Sequence, residues 1–533
     1  MSSADPAVSR PPVNPWVIAG TVTIATFMEV LDTSIANVAL EHIRGSLGAA
    51  PTDADWVITS YLVANAVVLP LSGWLSSVLG RRNYYLICVA LFTAASALCG
   101  MAQSLGQLIL FRILQGLGGG GLQPTTQGVL LDTFPREKQG PAMAVYTVCV
   151  LVAPILGPTL GGWITDNYSW RWIFYINLPT GLVALLLVSV VLKDPDYLKR
   201  RRAELLGGPL HFDYVGLGLI ALGLGSLEVL LSKGQEWDWL GDPFFRVHWL
   251  AAGAVVGIGG AVVWELTTPH PIVDLRVMRD RNFLASSLTI FVLIGTLYGS
   301  ITLLPGMLQT LMGYDATHAG LVLSPAGLFA MAAAMLSGIL LARGTDARGL
   351  IVCGAVVLAA GNWWMSQLNL SISPWQVVWP RVVQMLGTSM MFAPLNVAAF
   401  YYLSGARRAG ATGLFNLLRN EGGSVGTSLA ATLLARRQQF HSARLGESLG
   451  PLNTNLNDFL NQATGFFQQH NGDPVTARQQ AWAAMDQLRT QQASALSYFD
   501  VFYVYALVAL AIIGLALFMR RSVPAKGEHL GAE

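Results

Sequence analysis

The stretch ATFMEVLDTSIANVAL, Ala25 to Leu40, carries two acids inside what otherwise reads as a membrane-spanning helix. Glu29 and Asp32 are three residues apart, so a helix presents both carboxyls on one face. At a bilayer centre each ionised carboxylate costs about 2.5–3.5 kcal/mol. Two close carboxyls cannot both ionise cheaply, and burial favours their protonated form while a nearby arginine favours the ionised one. Two such acids are either a defect or a device. A counter-charge is available in LILFRILQGLGGGG, where Arg112 is flanked by Leu110, Phe111 and Ile113. A guanidinium cannot discharge by losing its proton, so Arg112 must find a carboxylate, carbonyls or water.

Other residues in apolar runs carry weaker signals. Arg381 repeats Arg112 in the second half of the chain, and Arg419 and Glu421 are too close in sequence to share a helix face neatly. Glu228 reads as water-facing. Phe27 and Met28 lie beside the acids, where they fit either an apolar substrate lining or ordinary packing. Asn37 and Gln115 are the polar candidates for substrate contact. In GWLSSVLGRR, the residues Gly73, Gly80, Arg81 and Arg82 close one span and precede the next, a pattern that fits anchoring by basic residues or a gate. In APILGPTLGGWI, Pro158 removes an intrahelical hydrogen bond, and Gly157, Gly161 and Gly162 admit close helix approach, as in a packing seam or hinge.

These residues need a membrane frame, and composition supplies it. The 533 residues are 53% hydrophobic and 12% charged, about half the charge content of a soluble domain. The net charge of +2 says little about partners, and no clustered basic face appears outside short inter-helix loops, which argues against nucleic-acid binding. Cys88, Cys99, Cys149 and Cys353 form no CxxC, and no metal-ligand spacing occurs, so neither a disulfide framework nor a metal site is expected. Nor is a cluster of nucleophile and base, which leaves no catalytic residues to nominate.

Runs of about 20 apolar residues lie near 16–38, 55–79, 84–103, 107–131, 141–165, 172–192, 213–233 and 245–266, then near 283–309, 316–341, 349–368, 375–402, 409–435 and 500–520. This predicts an all-α polytopic membrane protein with about 14 transmembrane helices. Basic residues crowd alternate loops, among them Arg81 and Arg82, Lys193 and Lys199, Arg276 and Arg279, Arg343 and Arg348, Arg407 and Arg408, then Arg520 and Arg521. Both termini are therefore expected on the cytoplasmic side. Residues 437–498, on the outer side, are rich in Gln, Asn and Ala and read as a loop that is either a solvated cap or a docking surface.

The chain also echoes itself. RILQGLG at Arg112–Gly118 returns as RVVQMLG at Arg381–Gly387, and SGWL from Ser72 returns as SGIL from Ser337. A common offset implies a parallel repeat of two six-helix halves with a route at their interface. The expected organisation is an N-terminal six-helix bundle over 1–192 and a linker with two extra helices over 193–282. A C-terminal six-helix bundle over 283–533 completes it.

LDTSIANVAL, GWLSSVLGRR, LILFRILQGLG, GPTLGG, HPIVDL and GGSVGTS, in that order along the spans, resemble the major facilitator superfamily, and within it the fourteen-span drug:proton antiporters. Two positions depart from the family pattern: Ser77 stands where the loop motif has an aspartate, and Ala153 where the fifth-span signature has a glycine. The resemblance implies that Asp32 carries the proton and that Arg112 senses or tunes it, with Glu29 sharing the helix face. It implies export of hydrophobic drugs or toxic compounds by alternating access, driven by the proton gradient with no other cofactor. The alternative is a dedicated exporter of one endogenous metabolite, lipid-like compound or siderophore. It further implies the inner membrane of a bacterium, with a periplasmic membrane-fusion adaptor (EmrA-like) and a TolC-like outer-membrane channel as partners.

Overall fold

The computed structural model describes residues 14–522 apart from 208–212, 270, 315, 372, 451–452 and 472. Both chain ends, whose cytoplasmic placement was expected, lie outside the described residues, as does the side chain of Pro158. All described regular structure is helical, with no strand among the described residues. The first group is α1 (Pro15–Leu47), α2 (Pro51–Ala54), α3 (Trp56–Leu79), α4 (Arg81–Met101), α5 (Leu105–Gly119), α6 (Leu122–Thr133), α7 (Arg136–Asn167), α8 (Trp172–Tyr175) and α9 (Asn177–Val191). A connecting helix α10 (Asp196–Leu206) leads to the pair α11 (Tyr214–Lys233) and α12 (Arg246–Thr267). The second group is α13 (Arg281–Gly306), α14 (Ala316–Leu323), α15 (Pro325–Ala342), α16 (Ala347–Ser366), α17 (Pro374–Phe400), α18 (Gly405–Glu447), α19 (Thr454–Asn471) and α20 (Pro474–Phe518).

The helix ends follow local chemistry. Asn14 accepts from the backbone N–H of Trp16 with Pro15 in the first turn, and Gly48 closes α1 in the left-handed region. Asp280, Asp346 and Asp473 cap α13, α16 and α20 with their carboxylates. In the run Gly118–Gly121 the helix breaks at Gly120 and Gly121, between α5 and α6, as expected where four poor helix formers are consecutive.

Among the described residues eleven helices are long and apolar enough to cross a membrane, and a helix pair bent by 43°, Lys138–Pro154 and Thr159–Asn167, makes twelve when counted as one span. The two other expected spans, 107–131 and 409–435, are occupied by α5 with α6 and by α18. Those windows fall short in apolar character because they hold Arg112, Gln115 and Gln123, or Arg419, Asn420 and Glu421. The region 437–498 is not a loop. α18 continues through it to Glu447, and α20 begins at Pro474 and runs on into the last span. With α19 they form a helical extension holding its own small cluster of Leu456, Leu460 and Ala481 against Phe459, Phe467 and Met485.

The two groups pack by the same scheme, α1 against α7 in the first and α13 against α18 in the second. The groups meet where α7 crosses α15 and where α18 crosses α3 and α6. These crossings lie towards the ends that carry the basic loops. A Cβ on Gly338 would come within 2.7 Å of the Ala144 Cβ, so the backbones of α15 and α7 touch there. Gln127 of α6 donates to Asn396 at 2.8 Å, and Asn416 of α18 donates to Gln127 at 2.6 Å, which ties three helices across the seam. The pair α11–α12 packs on α3 and α18 and exposes Leu222, Val255, Val256 and Val263 outward, as helices facing lipid do.

Candidate functional site: two buried carboxyls and their arginines

Asp32 and Arg112 meet. Arg112 Nη1 donates to Asp32 Oδ2 at 2.6 Å, and both side chains are almost wholly buried. The other oxygen of Asp32 accepts from Gln115 at 2.9 Å and from Asn177 at 2.6 Å. Arg112 also donates to the Val57 carbonyl and to Gln115, and its guanidinium lies over the Tyr61 ring at 4.3 Å. A charge in this position without such partners would be strongly unfavourable, so helices α1, α3, α5 and α9 are held together by it. Asn177 is itself placed by Ser96, to which it donates at 3.0 Å.

Glu29 sits on the same face of α1, one turn away, in a separate network. It accepts from the Tyr61 hydroxyl at 3.2 Å and from Gln123 at 2.6 Å. Tyr61 thus bridges the two acids: its hydroxyl serves Glu29 and its ring serves the arginine of Asp32. Across the seam Arg419 of α18 donates to the Tyr146 hydroxyl at 2.7 Å, and that hydroxyl donates at 3.5 Å to Gln123, the partner of Glu29. Asp32 has an arginine from its own half of the molecule, and Glu29 is linked through Gln123 and Tyr146 to one from the other half.

The second half contains a copy of the Asp32 site without the acid. Arg381 Nη1 donates to Ser300 at 2.8 Å and to Gln384 at 3.1 Å, and Gln384 donates to Asn362 at 3.0 Å. Arg112 and Gln115 are reproduced, and the carboxylate is replaced by a hydroxyl.

Of the residues expected to contact substrate, Gln115 is fully buried in the Asp32 network and presents no free face. Met28 is packed in the main core, Phe27 is half-buried against a second cluster, and Asn37 is exposed with its amide on the Thr33 carbonyl. The gate candidates separate by role. Arg81 is buried on Asp132 and the Gly128 carbonyl, and Arg82 donates to the Ser189 carbonyl. Gly80 has φ +86° and lies against Asp194, whose carboxylate also accepts from the Arg82 backbone. Ser77, in the place of the family aspartate, turns its hydroxyl back to the carbonyl of Gly73, itself buried within α3. Asp132 of α6 therefore holds the Arg81 guanidinium, and Asp194 at the start of the linker holds the Arg82 backbone.

Gly157 packs on Ser34, where any Cβ would overlap the serine, and Gly161 packs on Ile35; both serve the contact of α7 with α1. Gly162 faces open space and takes no part in that seam. Arg419 and Glu421 do point apart, Arg419 to Tyr146 and Glu421 towards α11. Glu228 is not water-facing: it is buried and accepts from Ser424 at 2.9 Å. The reason is that α18 covers the part of α11 that a lone amphipathic reading leaves open. Tyr61, Gln123, Tyr146 and Asn177 were not singled out from sequence, and the signal they carry is a polar side chain in an apolar span.

The sequence model of the Major Facilitator Superfamily matches residues 22–427. The chain is 36% identical over 512 residues to the multidrug export protein EmrB of Escherichia coli K12, covering 96% of each. It is 39% identical over 447 residues to the fatty acid resistance protein FarB of Neisseria gonorrhoeae, covering 83% of this chain and 85% of that one. Among solved structures, the proton:xylose symporter XylE aligns with a TM-score of 0.59 at 14% identity, over 95% of this chain and 94% of that chain.

Proposed function

Because the chain belongs to the major facilitator superfamily, we propose that it is a proton-coupled antiporter that exports hydrophobic drugs or toxic compounds. It is a multi-span membrane transporter and not an enzyme. The observation that carries the reading is the fully buried Asp32–Arg112 pair with Glu29 one turn away on the same helix face. A carboxylate that can exchange its arginine for a proton changes the charge of the site by one, and that change couples proton to cargo. Substrate enters from the cytoplasm or inner leaflet and displaces the proton, and reloading from the outside resets the carrier. The seam between the halves is closed at the basic-loop end, as expected of the state that loads protons from outside.

One proton moving down 100 mV supplies about 2.3 kcal/mol, enough for roughly a fifty-fold gradient of a neutral substrate, so proton flow alone suffices as the energy source. The proposed topology takes the basic loops as cytoplasmic, which puts both termini on that side of a bacterial inner membrane, and divides the chain into six-helix halves over 1–192 and 283–533 with a linker over 193–282. The helical extension of α18, α19 and α20 is the surface for a periplasmic membrane-fusion adaptor, which would pass substrate to a TolC-like channel. The likeness to FarB favours a second reading in which lipid-like acids are the cargo.

The test is a substrate screen in proteoliposomes with an imposed pH gradient, including long-chain fatty acids, comparing wild type with Asp32→Asn. Gradient-driven uptake by wild type and its loss in the variant are expected. Full transport by Asp32→Asn would remove Asp32 from the coupling step.

A further inference from the structure

Glu228 of α11 and Glu421 of α18 are buried together where these two helices pack, 3% and 5% exposed, and Ser424, one turn on from Glu421, reaches Glu228. Glu228 accepts from Ser424, but both carboxyl oxygens of Glu421 are buried with no hydrogen-bond donor. Two ionised carboxylates cannot be held in that position without a cation, whereas one proton lets the first carboxyl donate to the second. No cation is close. Arg419 is turned to Tyr146 and Lys233 is held by Asp55 and Glu236, while Arg246 and Glu265 lie at the ends of α12. Asp132 pairs with Arg81, Asn420 reaches Asn65, and among the described residues no hydrogen bond joins the Tyr298 or Tyr505 phenols of α13 and α20 to either acid.

We propose that Glu228 and Glu421 form a second proton site, holding one shared proton that latches the inserted helix α11 to the second half of the transporter. The proposal rests on the proton-coupled reading above, but it concerns different residues and a different helix contact. Its mechanical meaning comes from the other attachments of α11. Lys233 pairs with Asp55 at 3.1 Å and Ser232 meets Thr59 at 2.6 Å, both tying α11 to the α2–α3 region of the first half. The same helix is thus fastened to one half by an ion pair and to the other by the two acids. When the shared proton leaves to water, no bond joins the carboxylates and their charges repel, so α11 parts from α18 and follows the first half.

The experiment is infrared difference spectroscopy on the whole transporter in lipid, reading protonated-carboxyl absorption and its shift in D2O at neutral pH. A protonated-carboxyl band lost in Glu421→Gln and lost or shifted in Glu228→Gln is expected, and the same band should persist in E29Q/D32N. Spectra unchanged in both glutamine variants would overturn the site, as would absence of the band in E29Q/D32N, where no question of folding α11 against α18 arises. This readout needs no transport, so failure of proton coupling at Asp32 leaves it interpretable. In E228Q/E421Q the amides bond to each other with no proton to lose. Gradient-driven transport should then be lost with substrate binding kept, and unimpaired transport would dismiss the latch.

Discussion

Arg381 donates to the hydroxyl of Ser300 at 2.8 Å, 81 residues before it in the chain, and this is the second half's version of Arg112 donating to Asp32, 80 residues before it. The repeat keeps the arginine, keeps its glutamine one turn on, and drops the acid. A buried arginine supported only by neutral groups is therefore tolerated in this architecture, although breaking a buried ion pair commonly costs about 3–5 kcal/mol.

That comparison sharpens what removing Asp32 should do. Asp32→Ser recreates the second-half site, and Asp32→Asn keeps the acceptor oxygen. Both variants should be made and inserted as monodisperse protein, because Gln115 and the Val57 carbonyl still hold Arg112. Both should lose gradient-driven export while still binding substrate. Arg112→Ala should fare worse, since it strands the Asp32 carboxylate and removes the stack on Tyr61, and it should show reduced yield in the membrane fraction.

A separate prediction concerns the seam of α7 with α1. Gly157 lies against Ser34, whose hydroxyl donates to the Pro154 carbonyl at 3.1 Å, so the two backbones run nearly in contact. Gly157→Val should overpack this contact and cost about 1–3 kcal/mol, with transport lost. Gly162→Ala, which meets open space, should transport as wild type. Equal defects in the two variants, read by thermal unfolding and by uptake, would show that the seam is not where the glycines act.

Much of this was legible from sequence because the membrane imposes length and charge rules that a chain cannot evade. Arg81 to Met101 and Arg246 to Thr267 fall within a few residues of their apolar runs. Asp32 and Arg112 announced themselves as charges in apolar surroundings. The misses share one cause: sequence shows which residues are on a helix and not what covers them. Glu228 looked exposed because α18, nearly two hundred residues later, buries it. Residues 437–498 looked like a loop because their helices are polar, being sustained by each other and by water rather than by lipid. Asn177 and Gln123 are ordinary amides until the fold places them on the two acids.

At the basic-loop end, Asp346 caps α16 and fastens the chain beyond α20. It accepts from Arg348 Nη2 at 2.8 Å and from the Ser522 backbone at 3.4 Å. Partial burial pushes its carboxyl up, but the Arg348 guanidinium and the backbone N–H groups outweigh this and hold it below the usual range. A depressed folded-state value means the contribution is complete above the unfolded value near 4 and is lost only as pH falls through the lower folded one. Asp346→Ala should therefore lower thermal stability by about 1 kcal/mol, and by the same amount throughout the neutral range. A loss that changes between mildly acidic and mildly alkaline buffer would contradict this assignment.

The last prediction concerns the extension beyond the membrane. α18 has 43 residues, or roughly 65 Å of helix, against a hydrocarbon core about 30 Å thick, so its outer part must stand clear of the lipid. α19 and the first turns of α20 pack on each other through Leu456, Leu460 and Ala481, yet Phe466, Val475, Trp482 and Leu488 remain about half exposed or more. Apolar side chains left uncovered on an otherwise polar extension mark a contact surface. Replacing α19 with a short Gly/Ser linker should leave pH-gradient-driven transport in proteoliposomes intact, because no residue of the Asp32 or Glu29 networks lies there. Under the proposed docking of an adaptor on this extension, resistance of whole cells should fall. Equal loss in vesicles and in cells would mean that the extension supports the fold of the second half, and equal retention in both would dismiss it as the proposed docking surface.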